Sequence, residues 1–221
     1  MPRVRTLNLL HGCDAEGIRP IDVQEARSAL GSLPRDAYVI GHLGVLRRAN
    51  ANLLLRAFDI IRSQLDAPCK LVLIGSHKLG GFAELVPEQC RDDVVETGWV
   101  SYQDLNFHLA ACDLLLLPFK RAVSTDNIWP SKFNDYLSAG RATVGTTMRV
   151  LESVFEQYRI GLLTEDEPQA FADGCLRLLA DAPLRLQMGR NARGLAEGDL
   201  SWGNLVVRLE TFYQDMIQAV A

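Results

Sequence analysis

Nothing in this 221-residue sequence approaches the roughly 18 consecutive apolar residues of a membrane-spanning helix, so any membrane contact is expected to be peripheral. The opening MPRVRTLNLLHGCD has too short an apolar part for a secretory signal. Cysteine pairs are missing as well. Cys13, Cys69, Cys90, Cys112 and Cys175 are scattered, odd in number and never spaced C-x-x-C, which argues against a disulfide framework or a zinc knuckle and fits a reducing cytoplasm. There is no excess of positive charge: 23 Lys and Arg against 27 Asp and Glu give a net charge of −4, which disfavours nucleic acid as a partner. Internal repeats and low-complexity tracts are also absent. What is present is 48% hydrophobic and 23% charged residues, enough for one sizeable α/β core or a core with a short arm.

Short runs rich in Val, Ile and Leu alternate with longer amphipathic stretches, as buried parallel strands alternate with crossover helices. Strands are expected at 37–44, 70–75, 94–100, 113–119, 142–147 and 160–164. Between the first two, Leu53, Leu54, Ala57, Phe58, Ile61 and Leu65 share one helical face opposite Arg56, Arg62 and Gln64. Another stripe joins Leu105, Leu109 and Cys112, and KFNDYLSAG ends at Gly140 as helices end at a left-handed cap. The fold class implied is a Rossmann-like, doubly wound parallel sheet. After the last strand the pattern is helical only, with Pro168 and Pro183 placed to open two helices before a third from Trp202 to Val220. At the other end, VRTLNLLHG and IDVQEARSALG suggest one strand and one helix. The expected division is 1–33 as a leading strand and helix and 34–221 as the main domain with a C-terminal helical wrap.

Ligands of such sheets sit outside the carboxyl ends of the strands. The loop GHLGVLRRAN joins flexible glycines to Arg47 and Arg48, suited to a diphosphate, although an exposed arginine pair at a helix start is as common. Lys120 and Arg121 form a second basic pair, for a small anion, a membrane surface or simply solvent. The richest stretch, KRAVSTDNIWPSKFNDYLSAG, runs polar and aromatic groups into a helix start and sets Asn127 and Asp135 eight apart. The competing reading of Asp135 is an i,i+3 salt bridge with Lys132. His77 and His108 carry less weight, the first in a loop, the second mid-helix.

In their order, VIGHLGVLRR, KLVLIG, VVETGWVSYQDLNFHLAACDLLLLPF, PSKFNDYLSAGRATV and SWGNLVVRLETFY resemble the C-terminal domain of GT-B, family-4-like retaining glycosyltransferases over roughly residues 5 to 220. NLLHGCDAEGIRP resembles the segment that precedes that domain. The resemblance implies a nucleotide-diphosphate-sugar donor and an acceptor lobe supplied in cis or by a partner subunit, without which the chain is inactive. Its basic pair matches His42, where Arg is usual, and Arg47, where Lys is usual, with Arg48 available to share the duty. Its base-binding loop matches Gly98, Trp99 and Val100, where Trp99 either packs on the base or fills the core. Its E-x7-E signature matches Asn127, which keeps hydrogen bonding without charge, and Asp135, which would hold ribose hydroxyls.

On this resemblance, Asn127 and the backbone around Trp129, Pro130 and Ser131 touch the sugar and phosphates. Same-face attack retains the anomeric configuration, the donor phosphate helps take the acceptor proton, and no protein nucleophile is implied. The sequence contains no Asp-x-Asp, and neither metal nor cofactor is expected. The final helix, with Trp202 and Phe212, would pack toward the acceptor lobe. The departures at His42 and Asn127 motivate a second reading, a nucleotide- or nucleotide-sugar-binding module without catalysis; a subunit of a split glycosyltransferase is a further alternative. A nucleotide-sugar epimerase, which needs groups from both lobes, is weaker, and a generic flavodoxin-like domain leaves the Pro-Ser-Lys match unexplained.

Overall fold

Six short apolar segments hydrogen-bond side by side, all parallel, in the computed structural model, which describes residues 5–75 and 81–219. They are β1 (Tyr38–Leu43), β2 (Cys69–Ile74), β3 (Val94–Glu96), β4 (Leu114–Leu117), β5 (Thr143–Thr146) and β6 (Gly161–Thr164). Their order across the sheet is β3-β2-β1-β4-β5-β6. The chain therefore winds outward from β1 in one direction, then crosses back to β4 and winds in the other. The reversal lies between β1 and β4, where an open parallel sheet presents its ligand crevice.

Both faces of the sheet are covered, which explains why β4 is four leucines, every one fully buried. Alternation along the strand sends Leu115 and Leu117 to one core and Leu114 and Leu116 to the other. The first core takes residues of α1 (Val23–Leu30), α4 (Tyr102–Ala110), α5 (Ser131–Ser138), α6 (Arg149–Tyr158) and α8 (Ala182–Glu197). The second takes α2 (Arg48–Gln64), α3 (Phe82–Leu85), a 3-10 helix at Glu88–Asp93 and α7 (Pro168–Ala180). Pro168 and Pro183 open α7 and α8 as expected, and α9 (Trp202–Gln218) closes the described chain. Among the described residues no helix is long and apolar enough to cross a membrane. All five cysteines are free and buried.

Two expectations are corrected. Residues 5–12 form no strand. This stretch never reaches a sheet edge: Gly12 lies against the Trp202 ring, its carbonyl accepts from Asn134 Nδ2, and Cys13 pairs with Ser201 only in an isolated bridge. The strand expected at 94–100 stops at Glu96, because Gly98 takes a left-handed φ of 67° and turns the chain back toward Gly75. The leading helix is fastened to the sheet. Arg27 is 3% exposed and donates to the carbonyls of Ala37 and Ala111 and to Asp113 Oδ2 at 2.7 Å.

Candidate functional site

At the crevice the backbone ladder between β1 and β4 holds only two residue pairs, Ile40 with Leu114 and Gly41 with Leu115. Beyond them side chains take over. Tyr136, fully buried on α5, donates its hydroxyl to the Leu116 carbonyl at 3.2 Å and accepts the Leu43 N–H at 2.9 Å. His42 is 2% exposed, and its Nδ1 lies 3.0 Å from the same carbonyl. Because a carbonyl only accepts, the ring proton sits on Nδ1 and Nε2 keeps a lone pair. That lone pair faces Lys132 Nζ at 3.2 Å.

Burial, and then Lys132, push the His42 pKa down to about 3, so the ring is neutral. His42 therefore supplies no charge, and both of its nitrogens are occupied. Lys132 comes from the first turn of α5, and its ammonium lies 5.9 Å from the centre of the Phe119 ring. The i,i+3 bridge to Asp135 does not form. Asp135 is instead raised to about 6 by burial and by Asp14, whose Oδ2 accepts from the Tyr102 hydroxyl at 2.6 Å. Among the described residues no side-chain contact joins Arg47 to Asp135.

Arg47 and Arg48 stand exposed at the start of α2, among the described residues without a carboxylate partner. Their loop is held from below: Leu46 is buried, Gly44 N–H donates to Ile74 O at 2.7 Å, and Gly75 packs without a side chain on Gly44. Asn50 Oδ1 accepts the Lys120 N–H, tying the first turn of α2 to the loop after β4. Lys120 and Arg121 are taken up by carboxylates, chiefly Asp166 at 3.0 Å and Asp126 at 3.7 Å.

Within that loop Asn127 is exposed, while neighbouring Asp126 anchors the turn by accepting from the N–H groups of Arg149 and Val150. Trp129 is 9% exposed. Its indole N–H donates to Asn134 Oδ1 at 2.7 Å and its ring packs 5.4 Å from Phe133, so this side chain belongs to the core and only its backbone is open to a ligand role. Pro130 is buried and Ser131 exposed. Trp99 is 81% exposed, which removes the core-filler reading. With Val100 and residues of α1 and α4, His108 among them, it walls a cleft of about 380 Å³. His77 lies outside the described residues.

A cavity of about 390 Å³ lies at the opposite, amino ends of β1, β4 and β5, among Arg27, Arg35, Asp113, Arg141 and Arg185. Backbone carbonyls and Asp113 occupy most of the donors of Arg27, and two backbone carbonyls each accept from Arg141 and from Arg185, so these arginines tie the sheet's amino end to its helices, although Arg141 Nε is buried without a partner among the described residues.

Residues 37–181, well over half of the chain, match the family model described as Glycosyl transferases group 1. The chain belongs to that family. This group 1 domain is 26% identical to D-inositol 3-phosphate glycosyltransferase of Corynebacterium urealyticum, across 93% of the chain and 50% of that protein. It thus spans about half the length of this curated relative. Among solved structures it resembles Anabaena HepE in complex with UDP and glucose, with a TM-score of 0.73, 18% identity, and 92% and 55% of the two chains covered. It also resembles the C-terminal domain of the group 1 protein LpcC from Francisella tularensis, with a TM-score of 0.70, 15% identity, and 86% and 100% covered. The fold is that of the C-terminal domain of a GT-B glycosyltransferase, as the ordered motifs implied.

The residues that sequence reasoning missed are Lys132 as part of the crevice, Tyr136, and the Asp14–Tyr102 pair. The signal for the first was in plain view: a lysine stands in the first turn of the helix that carries Asp135.

Proposed function

We propose that this domain binds the nucleotide-diphosphate-sugar donor of a retaining glycosyltransferase, and that a second lobe, in cis or in a partner subunit, holds the acceptor. The carrying observation is the carboxyl rim around the β1–β4 reversal. The loop after β1 carries Arg47 and Arg48, without carboxylate partners among the described residues, α5 after β4 carries the partly desolvated Asp135, and the turn after edge strand β3 carries the exposed Trp99, in a chain of a glycosyltransferase family. Arg47 and Arg48 meet the diphosphate, Asp135 accepts from ribose hydroxyls, and Trp99 with the backbone of Gly98 and Val100 meets the base. Asn127 and the backbone of Trp129, Pro130 and Ser131 meet the sugar. UDP in the HepE structures supports a nucleotide-diphosphate ligand.

The chemistry assigned is displacement at the anomeric carbon. The acceptor oxygen bonds to that carbon as its bond to the diphosphate breaks, the acceptor proton passes to a donor phosphate oxygen, and the domain stabilises the departing charge. The exposed apolar face of α9 supports a second lobe: Trp202, Val206, Tyr213 and Ile217 share it at helical spacing, and all stand open to solvent.

Thermal unfolding with UDP, GDP and ADP tests the donor role. The matching nucleotide stabilises the fold by about 2.7 kcal/mol at a hundredfold excess over its Kd. No shift with any of them at millimolar concentration sinks the reading.

A further inference from the structure

We propose that Lys132 is a further cation that takes the donor diphosphate in the β1–β4 crevice beside Arg47 and Arg48, reaching from α5 into the place where the resemblance expects an arginine at position 42, with His42 as its positioning residue. This rests on the donor-binding reading and adds a residue that the resemblance does not assign.

Three lysines are described, and two are neutralised. Lys70 pairs with Asp93 at 2.8 Å and Lys120 with Asp166 at 3.0 Å, whereas Lys132 has no carboxylate partner among the described residues. Its only hydrogen-bond partner there is a neutral ring nitrogen, His42 Nε2, which uses one of three ammonium donors. The imidazole cannot turn away, because Nδ1–H is committed to Leu116 O. The Phe119 ring adds a weak attraction from another side. A Cβ at Gly44 would stand 3.5 Å from Nζ, so the glycine leaves the ammonium facing bare backbone on the loop after β1.

The ammonium is thus held, oriented and uncompensated at the topological reversal of the sheet. Burial lowers its pKa to about 8, a cost that the protein's own contacts leave standing and that an anion would offset. The histidine at position 42 then has a reason: an arginine there would bring a second cation against Lys132, whereas a neutral ring accepts from it.

The test is titration calorimetry on the 221-residue chain with inorganic pyrophosphate, with UDP, GDP and ADP, and with the three parent nucleosides, on wild type and Lys132→Met. The expected result is a loss of roughly ten- to hundredfold in affinity for pyrophosphate and the matching diphosphate, with nucleoside affinity unchanged. Wild-type affinity for the diphosphates in Lys132→Met would overturn the role of Lys132 and leave the donor reading standing. Wild type binding no nucleotide would overturn both. A second measurement needs no variant. The chain has four lysines, and the Lys132 side-chain carbon signal should move to a higher titration point when pyrophosphate is added. A lysine spectrum unchanged by saturating pyrophosphate would equally overturn the inference.

Discussion

The Tyr136 hydroxyl accepts the Leu43 N–H at 2.9 Å, so a side chain from α5 supplies a bond that a neighbouring strand would supply elsewhere in the sheet. It stands where β1 and β4 cease to pair, and it closes the floor of the crevice from below. Removing the oxygen by Tyr136→Phe leaves that amide without its partner, whereas Leu116 O keeps His42. The expected cost is roughly 1–3 kcal/mol in urea unfolding, with an unchanged m-value. A variant as stable as wild type would mean that water replaces the phenol without loss.

Gly189→Ala reverses an ordinary rule. Alanine inside a helix is normally favoured over glycine by about 1 kcal/mol. Here a Cβ on α8 would lie 2.4 Å from the Gly140 carbonyl oxygen, a backbone atom that cannot rotate away. We expect destabilisation of roughly 2–4 kcal/mol, or loss of the folded protein, because α8 must back away from the end of α5. Gly194→Ala on the same helix meets nothing within 4 Å and should be neutral or mildly stabilising. Equal melting temperatures for the two variants would contradict the packing described.

The strands were legible because burial on both faces writes them as apolar runs, and Leu114–Leu117 left no alternative element. The helices after β6 were legible because Pro168 and Pro183 mark their starts. The tryptophans were not. Trp99 sits in an apolar run yet is exposed, since Gly98 ends the strand before it; Trp129 sits in a polar loop yet is buried, since Asn134 takes its N–H. Residues 5–12 carry the apolar content of a strand, but only a free sheet edge turns such content into one. The contact of His42 with Lys132 spans 90 positions, and no local pattern announces which of two candidate partners a lysine chooses.

Exposure makes Trp99 a clean probe. A side chain 81% open to solvent contributes little to folding, so Trp99→Ala should leave stability within about 0.5 kcal/mol of wild type. If the ring stacks on the donor base, the same change costs roughly 1–3 kcal/mol of nucleotide affinity and spares pyrophosphate. Calorimetry with the two ligands separates the cases. Unchanged nucleotide affinity would remove Trp99 from the base site.

Asp135 ties stability to pH in a direction opposite to most carboxylates. Its folded pKa of about 6 lies above the ordinary 3.8, because burial and Asp14 disfavour its charge. Between those values the folded state binds the extra proton, so this group's contribution is fully present below pH 3.8 and is lost as pH rises toward 6. At neutral pH the ionised carboxylate is a net cost to the fold. Asp135→Asn should therefore stabilise the protein at pH 7 by roughly 1–3 kcal/mol, toward the lower end because part of the group meets solvent, and the gain should vanish near pH 4. The same variant should bind the matching nucleotide more weakly, since an amide gives ribose hydroxyls a poorer acceptor than a carboxylate. A variant that loses stability at pH 7 would show that Asp135 holds the fold together; one that gains stability and loses affinity would show a residue kept for its ligand.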